Sequence, residues 1–191
     1  MAGILYIVST PIGNLEDCTF RAIQILREVA IVAAEDPQQT HALFARYAIN
    51  TALTSYHNLI KEEKAPVLVK RLQEGQNVAL VSDAGTPVLS DPGALLIAQA
   101  LQAGIRVVPV PGPSAVLAAI AVSGLPCEAF TFAGVVPSRT GPRRRLLEVL
   151  EQERRTLVFF VPSDRLKTTL ETIAAVLGNR RLLLAKDLTK P

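Results

Sequence analysis

A repeated order of short apolar run, polar turn and helical pattern constrains this fold more than any other feature of the chain. Residues 4–8, 78–81 and 107–110 are apolar runs of strand length, as expected for buried strands of a parallel sheet. A turn that contains Gly or Pro follows each run, and a segment with helical periodicity follows each turn. This alternation predicts an α/β fold built on a parallel or mixed sheet.

Three polar turns follow these runs, at residues 10–14, 82–87 and 111–114. Parallel strands present their carboxyl ends at one edge of the sheet, where the ligands of such folds bind. We therefore expect the three turns to lie together and to form a binding site. None of them has the GxGxxG or Walker pattern, so a dinucleotide or nucleoside triphosphate site is not favoured. Taken singly, each turn is also compatible with an ordinary connection between a strand and a helix.

The segment Gly124-Leu125-Pro126 is the predicted boundary between two domains. Residues 1–123 form the first α/β domain in this interpretation. Residues 124–191 begin a second α/β domain that has no clear final strand, so we expect this domain to be incomplete. Its strands are predicted at 130–133, 156–161 and 181–185.

Acidic residues precede several predicted helices, where a carboxylate can accept hydrogen bonds from free backbone N–H groups. Asp17 is the predicted N-cap of a helix that runs to Glu28. Asp91 is the predicted N-cap of another, with Pro92 at the first helical position.

The composition excludes several classes of protein. No apolar run reaches the length of a membrane span, and the first residues lack the features of a secretory signal. We therefore expect a cytoplasmic protein with no membrane partner. Because the chain has only two Cys and two His, a metal site would be hard to assemble and none is predicted.

Carboxylates at two strand ends are candidates for chemistry. Glu35 and Asp36 close the predicted strand 31–34, where they can act as a base or contact a substrate, or can cap the next helix. Asp83 follows residues 78–81 and can bind ribose hydroxyls or an ammonium group, or can form a local Asx turn. The residues alone leave these alternatives open.

Positive charge is concentrated towards the C-terminal end of the chain, although the net charge is only +3. Such a cluster can be a phosphate-binding surface or a solvated face. Few acidic residues accompany Arg143, Arg144 and Arg145, which favours contact with phosphate. No aromatic residue interrupts the cluster, so stacking on bases is not indicated there.

Taken together and in order, the turns resemble the bacterial small-subunit ribosomal RNA cytidine 2′-O-methyltransferases of the tetrapyrrole methylase superfamily. The resemblance covers essentially the whole chain. It is carried by the segments Leu5-Tyr6-Ile7-Val8-Ser9-Thr10-Pro11-Ile12-Gly13-Asn14-Leu15, Ala34-Glu35-Asp36, Leu80-Val81-Ser82-Asp83-Ala84-Gly85-Thr86-Pro87 with Ser90-Asp91-Pro92-Gly93, Pro111-Gly112-Pro113-Ser114-Ala115 and Asp187-Leu188-Thr189-Lys190.

The resemblance implies a homodimer that binds S-adenosylmethionine in a cleft between two α/β domains, without a metal. The expected reaction is 2′-O-methylation of a cytidine in 16S ribosomal RNA of the small subunit. The implied cofactor residues are Thr10, Pro11, Gly13, Asn14, Asp83, Ala84, Gly85, Thr86, Pro87, Ser114, Ala115, Phe160 and Val161. Candidate catalytic residues are Glu35, Asp36 and Lys190, and candidate RNA contacts are Arg139, Arg143, Arg144 and Lys190.

The chain departs from the family pattern on the substrate side. The family usually reads Glu-Asp-Thr-Arg where this chain has Glu35-Asp36-Pro37-Gln38, so an arginine is missing. A Glu-Ser pair is expected after the strand that ends at Phe160, where this chain has Val161-Pro162-Ser163. Two alternative functions therefore remain: a methylase of a tetrapyrrole or another small acceptor, and a truncated or inactive relative that only binds cofactor or RNA.

Overall fold

A computed structural model of the protein describes residues 1–89 and 91–190. Ser90, which opens the segment Ser90-Asp91-Pro92-Gly93, and Pro191 lie outside the described residues. The strands are β1 (Ile4–Val8), β2 (Ile31–Ala34), β3 (Leu53–Ser55), β4 (Val78–Val81), β5 (Arg106–Val110), β6 (Phe130–Val135) and β7 (Thr156–Phe160). The helices are α1 (Phe20–Glu28), α2 (Pro37–Arg46), α3 (Lys61–Gln73), α4 (Ala94–Gln102), α5 (Ala115–Ala121), α6 (Thr140–Val149) and α7 (Leu166–Leu177).

Strands β1 to β5 form a parallel sheet in the order β3-β2-β4-β1-β5. Strand β1 lies between β4 and β5, so that Leu5 pairs with Val78 on one side and with Val107 on the other. Strand β2 pairs with the opposite edge of β4. The predicted α/β class is therefore confirmed, and the turns after β2, β4, β1 and β5 follow adjacent strands at one edge of the sheet.

The sheet is buried on both faces, as expected for parallel strands connected by helices. Along β2, Val32 and Ala34 belong to one apolar cluster, whereas Ile31 and Ala33 belong to another. Helical residues complete the clusters, with Leu26, Leu43 and Phe44 in the first and Leu68, Leu72 and Leu96 in the second. Because each buried side chain of this size contributes about 1.5–3 kcal/mol, these two layers hold the strand ends in register.

Contacts divide the chain into two units, one of residues Met1–Ala115 with 187–190 and one of Val116–Lys186. The division precedes most of α5, whereas the sequence placed the boundary after it at Gly124. The two clusters that cover the sheet contain no residue of α5, which explains why this helix is not part of the first unit. Within the described residues, no helix is both long and apolar enough to cross a membrane.

Two helix starts differ from the sequence predictions. Asp17 ends a short 3₁₀ helix, Leu15–Asp17, and so cannot adopt the extended conformation of an N-cap. Thr19 caps α1 instead, and its Oγ1 accepts a hydrogen bond from the N–H of Ala22 at 3.1 Å. Helix α4 begins only at Ala94, because the backbone carbonyl of Asp91 already bonds the N–H of Gly93 in a turn.

The predicted strand at 181–185 is not formed. Strands β6 and β7 pair with each other in parallel, and no other described residues of the second unit extend their sheet. A strand needs a hydrogen-bonded neighbour, and without one the apolar residues Leu182, Leu183 and Leu184 remain about half exposed, at 52%, 43% and 53%. Residues 181–185 therefore have the composition of a strand but no neighbouring strand with which to pair.

Candidate active site at the carboxyl edge of the sheet

The turns after β1 and β4 are joined through their backbones. Thr10 and Gly85 form an isolated antiparallel bridge, with N–H to carbonyl distances of 2.9 Å and 3.0 Å in the two directions. Gly85 has φ +82°, a backbone conformation that residues with a side chain rarely adopt. The first two predicted cofactor turns therefore lie together.

Side-chain hydroxyl groups also connect the three turns. The Ser9 and Thr86 hydroxyl oxygens lie 3.0 Å apart, and Thr86 Oγ1 donates to the Pro113 carbonyl at 3.2 Å. Thr10 Oγ1 donates to the Ser82 carbonyl at 3.1 Å. The turns bearing Gly85 and Pro113 thus meet, which confirms the expected convergence at one edge of the sheet.

Gly13 faces the segment at residues 187–190, which returns to the first unit. A Cβ atom at Gly13 would lie 2.9 Å from Thr189 Oγ1 and 3.1 Å from Lys190 Cγ. The ammonium group of Lys190 forms an ion pair with Asp187 at 2.7 Å. The candidate catalytic residue Lys190 is therefore placed next to the first cofactor turn.

The strand-end carboxylates lie together, as the order of β2 and β4 requires. Asp83 Oδ1 accepts a hydrogen bond from the backbone N–H of Asp36 at 3.0 Å. Asp36 is the N-cap of α2 and accepts from the N–H of Gln38 at 2.8 Å, with Pro37 at the start of the helix. Of the alternatives for Asp36, capping is confirmed.

Burial raises the pKa of the Glu35 carboxyl, and the negative charges of Asp91 and Asp83 act in the same direction. Burial is also the main reason that the pKa values of Asp83 and Asp91 are raised. Over residues 1–89 and 91–190, no Lys or Arg forms an ion pair with these three carboxylates or with Asp36. We refer to Glu35, Asp36, Asp83 and Asp91 as the acidic edge.

A small hollow opens between the first two turns and α2. The side chains that line it include Thr10, Pro11, Ser82 and Asp83 from the turns, and Gln39 from the helix. This mixture of hydroxyl, amide, carboxylate and apolar groups can bind a small polar molecule. The described residues contain no group of side chains arranged to hold a metal ion.

The family model for tetrapyrrole (corrin/porphyrin) methylases matches residues 4–191. The chain belongs to this family. The resemblance stated from the sequence is confirmed.

Curated relatives of this chain bear the name ribosomal RNA small subunit methyltransferase I. The protein of Escherichia coli O157:H7 is 48% identical over 189 residues, which cover 98% of this chain and 66% of that protein. The protein of Haemophilus influenzae is 44% identical over 191 residues, which cover 100% and 68%. That of Halalkalibacterium halodurans is 47% identical over 188 residues, which cover 98% and 65%. The chain thus spans about two thirds of the length of these relatives.

Solved structures show the same fold at low sequence identity. A diphthine synthase superposes on this chain with a TM-score of 0.71 at 14% identity, covering 91% of this chain and 71% of that one. A uroporphyrin-III-C-methyltransferase from Thermus thermophilus superposes with a TM-score of 0.63 at 24% identity, covering 92% and 73%.

The remaining cofactor candidates occupy loops and the ends of helices and strands. Asn14 caps the 3₁₀ helix by accepting from the N–H of Glu16 at 3.0 Å. Ala84 and Pro87 lie in the turn after β4, and Ser114 and Ala115 stand at the start of α5. In the second unit, Phe160 ends β7 and packs edge-on against Phe132, with ring centroids 5.1 Å apart, and Val161 follows it.

The arginine candidates divide into two kinds. Arg139 and Arg144 are exposed, and Arg144 pairs with Glu148 at 2.8 Å. Arg143 is only 3% exposed and donates to Thr172 Oγ1 at 3.0 Å and to the Ser138 carbonyl at 3.1 Å. Its position therefore gives no support to the predicted RNA contact, because its guanidinium group is enclosed by the second unit.

The sequence did not single out two residues of the site. Ser9 lies inside the quoted motif, but only the fold shows that its hydroxyl group meets Thr86. Gln39 Nε2 donates to Asp83 Oδ2 at 3.1 Å. Its position three residues after the N-cap Asp36 is the signal that could have revealed it, because Gln is favoured at that position of a capping box.

Proposed function

We propose that this chain binds S-adenosylmethionine and transfers its methyl group to the 2′-hydroxyl of a cytidine in 16S ribosomal RNA. The observation that carries the proposal is the meeting of three turns at the carboxyl edge of the sheet, joined by the bonds of Thr10, Gly85 and Thr86. The names of relatives at 44–48% identity support the choice of ribosomal RNA over a small acceptor.

The residues present fit the proposed methyl donor. When bound, S-adenosylmethionine supplies an electrophilic methyl group on a positively charged sulfonium. The acidic edge has no cationic partner among the described residues, so it favours a ligand that carries positive charge. The backbone groups and hydroxyls of the turns offer hydrogen bonds to the polar ends of the donor. We assign the donor to the thirteen cofactor candidates named from the sequence.

Glu35 is the strongest candidate for the base. A ribose hydroxyl is a poor nucleophile, and a carboxylate oxygen that accepts its proton increases its reactivity. Because burial raises the pKa of Glu35, this carboxylate is a better proton acceptor than an ordinary exposed one. Asp36 is less suited, because its Oδ1 accepts the N–H of Gln38 in the cap of α2.

The protein's main contribution is alignment. An in-line displacement from a sulfonium needs neither a metal nor a covalent nucleophile, so placing the hydroxyl oxygen correctly accounts for much of the rate. Lys190, next to Gly13, supplies a cation that stabilises developing negative charge on the attacking oxygen. Arg139 and Arg144 are proposed to bind RNA phosphates, since both side chains are exposed. We also propose that the protein forms a homodimer and acts in the cytoplasm.

Transfer of labelled methyl groups to small ribosomal subunits tests this function. Subunits that lack ribose methylation are incubated with labelled S-adenosylmethionine and either this chain or a version extended to the length of its relatives. We expect label in a ribose of 16S RNA, and a strong loss of label with Glu35→Gln. Label that enters a tetrapyrrole instead, or no transfer by the longer version, would contradict the proposal.

A further inference from the structure

The start of α2 is stabilised from outside the helix. In a capping box, the residue three positions after the N-cap accepts a hydrogen bond from the N-cap N–H. Gln39 holds that position after Asp36, but the N–H of Asp36 is bonded by Asp83 Oδ1 at 3.0 Å. A carboxylate on the loop after β4 therefore completes the cap of a helix that follows β2.

The side-chain amide of Gln39 donates to carboxylates and does not bond the backbone N–H of the N-cap. Its Nε2 lies 3.1 Å from Asp83 Oδ2 and 3.4 Å from Asp36 Oδ2. A hydrogen bond to a charged acceptor is stronger than one between neutral groups. One amide group thus bridges two carboxylates that would otherwise repel each other.

The bridge is surrounded by the carboxylates of the acidic edge. The acidic edge presents Glu35 and Asp36 from the end of β2, Asp83 from the loop after β4, and Asp91. Among the described residues no Lys or Arg pairs with them. The β2 turn is thus connected to the β4 loop twice, by the backbone N–H of Asp36 and by the side-chain amide of Gln39.

We propose that Gln39 is a positioning residue for methyl transfer: it ties the β2 turn, and with it Glu35, to the loop of Asp83. The role given to Glu35 rests on the proposed function, whereas the bridge itself rests on the hydrogen bonds alone.

Thermal unfolding at several pH values tests the bridge without any activity. Gln39→Leu removes the donor to Asp83, so Glu35, Asp83 and Asp91 destabilise the fold more strongly once they are ionised. We expect the melting temperature of Gln39→Leu to match the wild type near pH 4 and to fall about 3 °C below it at pH 8. Gln39→Arg, which restores a donor, should recover the wild-type value at pH 8.

Gln38→Leu is the matched control, because Gln38 is the exposed neighbour on the same turn and its backbone N–H stays available to Asp36. Its effect on the melting temperature should not change with pH. An equal effect of Gln39→Leu at pH 4 and pH 8 would overturn the proposal, since a side chain that only fills space has no pH dependence.

The pH dependence of kcat tests the positioning role. Carboxyls that lose a donor hold their protons more tightly, so the acid limb for Gln39→Leu should move to higher pH and return with Gln39→Arg. An unmoved acid limb overturns the positioning role even if the bridge stabilises the fold. If the wild type transfers no methyl group to RNA, the proposed function fails, and the unfolding experiment still decides on the bridge.

Discussion

Thr10 and Gly85 exchange two backbone hydrogen bonds, although they belong to turns that follow different strands. The bridge is possible because β1 and β4 are neighbours in the sheet and because Gly85 adopts φ +82°. It joins two of the turns that define the proposed donor site. The predictions on the site depend on this arrangement.

Gly85→Ala should destabilise the protein by about 1–2 kcal/mol more than Gly104→Ala does. The positive φ is unfavourable for Ala at Gly85 and at Gly104 alike, but only at Gly85 would the new Cβ meet a neighbour, Ile12 Cγ2 at 3.3 Å. Gly104→Ala is the control, because Gly104 has φ +69° but no heavy atom within 4 Å of the new Cβ. Urea unfolding followed by circular dichroism measures both. Equal losses would show that the packing of the two turns contributes little.

Arg143→Ala should destabilise the protein by about 2–4 kcal/mol, and Arg144→Ala by less than about 1 kcal/mol. Arg143 is buried and bonds Thr172 and Ser138, so its removal leaves buried acceptors without a donor. Arg144 is exposed and pairs only with Glu148. Chemical unfolding of the two variants distinguishes them. A larger effect for Arg144 would contradict the assigned positions.

Arg139→Ala combined with Arg144→Ala should weaken binding to small-subunit RNA and reduce the dependence of the binding constant on salt. Each lost phosphate contact lowers the slope of log K against log salt by about 1. Filter binding between low and moderate salt measures this slope. Arg46→Ala in the first unit is a control, since Arg46 is also exposed and pairs weakly with Glu16 at 3.8 Å. An unchanged slope in the double variant would remove these arginines from the RNA surface.

The second unit should lose stability in acid because of Glu153. Its hydrogen bonds with the Arg155 side chain and backbone lower the pKa of Glu153 to about 2. A lowered pKa means that the contribution is present above the ordinary value of 4.5 and is lost as pH falls towards 2. Glu153→Gln should therefore flatten the decline in melting temperature between these pH values. Because the pair is exposed, high salt should reduce the difference, and a decline identical to the wild type would contradict the assignment.

The acidic edge should have the opposite effect to Glu153 on the pH dependence of stability. The pKa values of Glu35, Asp83 and Asp91 are raised in the fold, mainly by burial. Raised carboxyl pKa values favour the folded state at low pH, and this contribution decreases as pH rises from about 4. Asp91→Asn should reduce that decrease in thermal unfolding. If the melting temperature of Asp91→Asn fell with rising pH as steeply as that of the wild type, the prediction would be contradicted.

Much of the fold could be predicted because the signals are local. The runs that form β1, β4 and β5 are short and apolar, and each is followed by a glycine-containing turn. The rule that parallel strands align their carboxyl ends then places the turns together without any knowledge of strand order. The capping role of Asp36 follows from the same local chemistry, since Pro37 suits the first position of a helix.

The remaining features depend on partners that are distant in sequence. The role of Gln39 depends on its hydrogen bond to Asp83, which follows a different strand. The burial of Arg143 follows from its packing with Thr172 of α7, whereas its arginine neighbours suggested an exposed cluster. Residues 181–185 have strand composition but no partner in the described sheet. Sequence patterns report local preference, and these three cases were decided by tertiary contacts.

Calorimetric titration of S-adenosylmethionine into Thr86→Val tests the central claim most directly. Thr86 Oγ1 joins Ser9 to the carbonyl of Pro113, so its loss removes this side-chain link between the third turn and the first two while the side-chain volume is kept. Thr51→Val is the matched control, because Thr51 Oγ1 also donates to a backbone carbonyl, that of Leu26, ahead of β3. We predict that Thr86→Val weakens binding at least about tenfold, equivalent to about 1.4 kcal/mol, and that Thr51→Val binds as the wild type does. Equal affinity of all three proteins would contradict the claim that these turns hold the methyl donor.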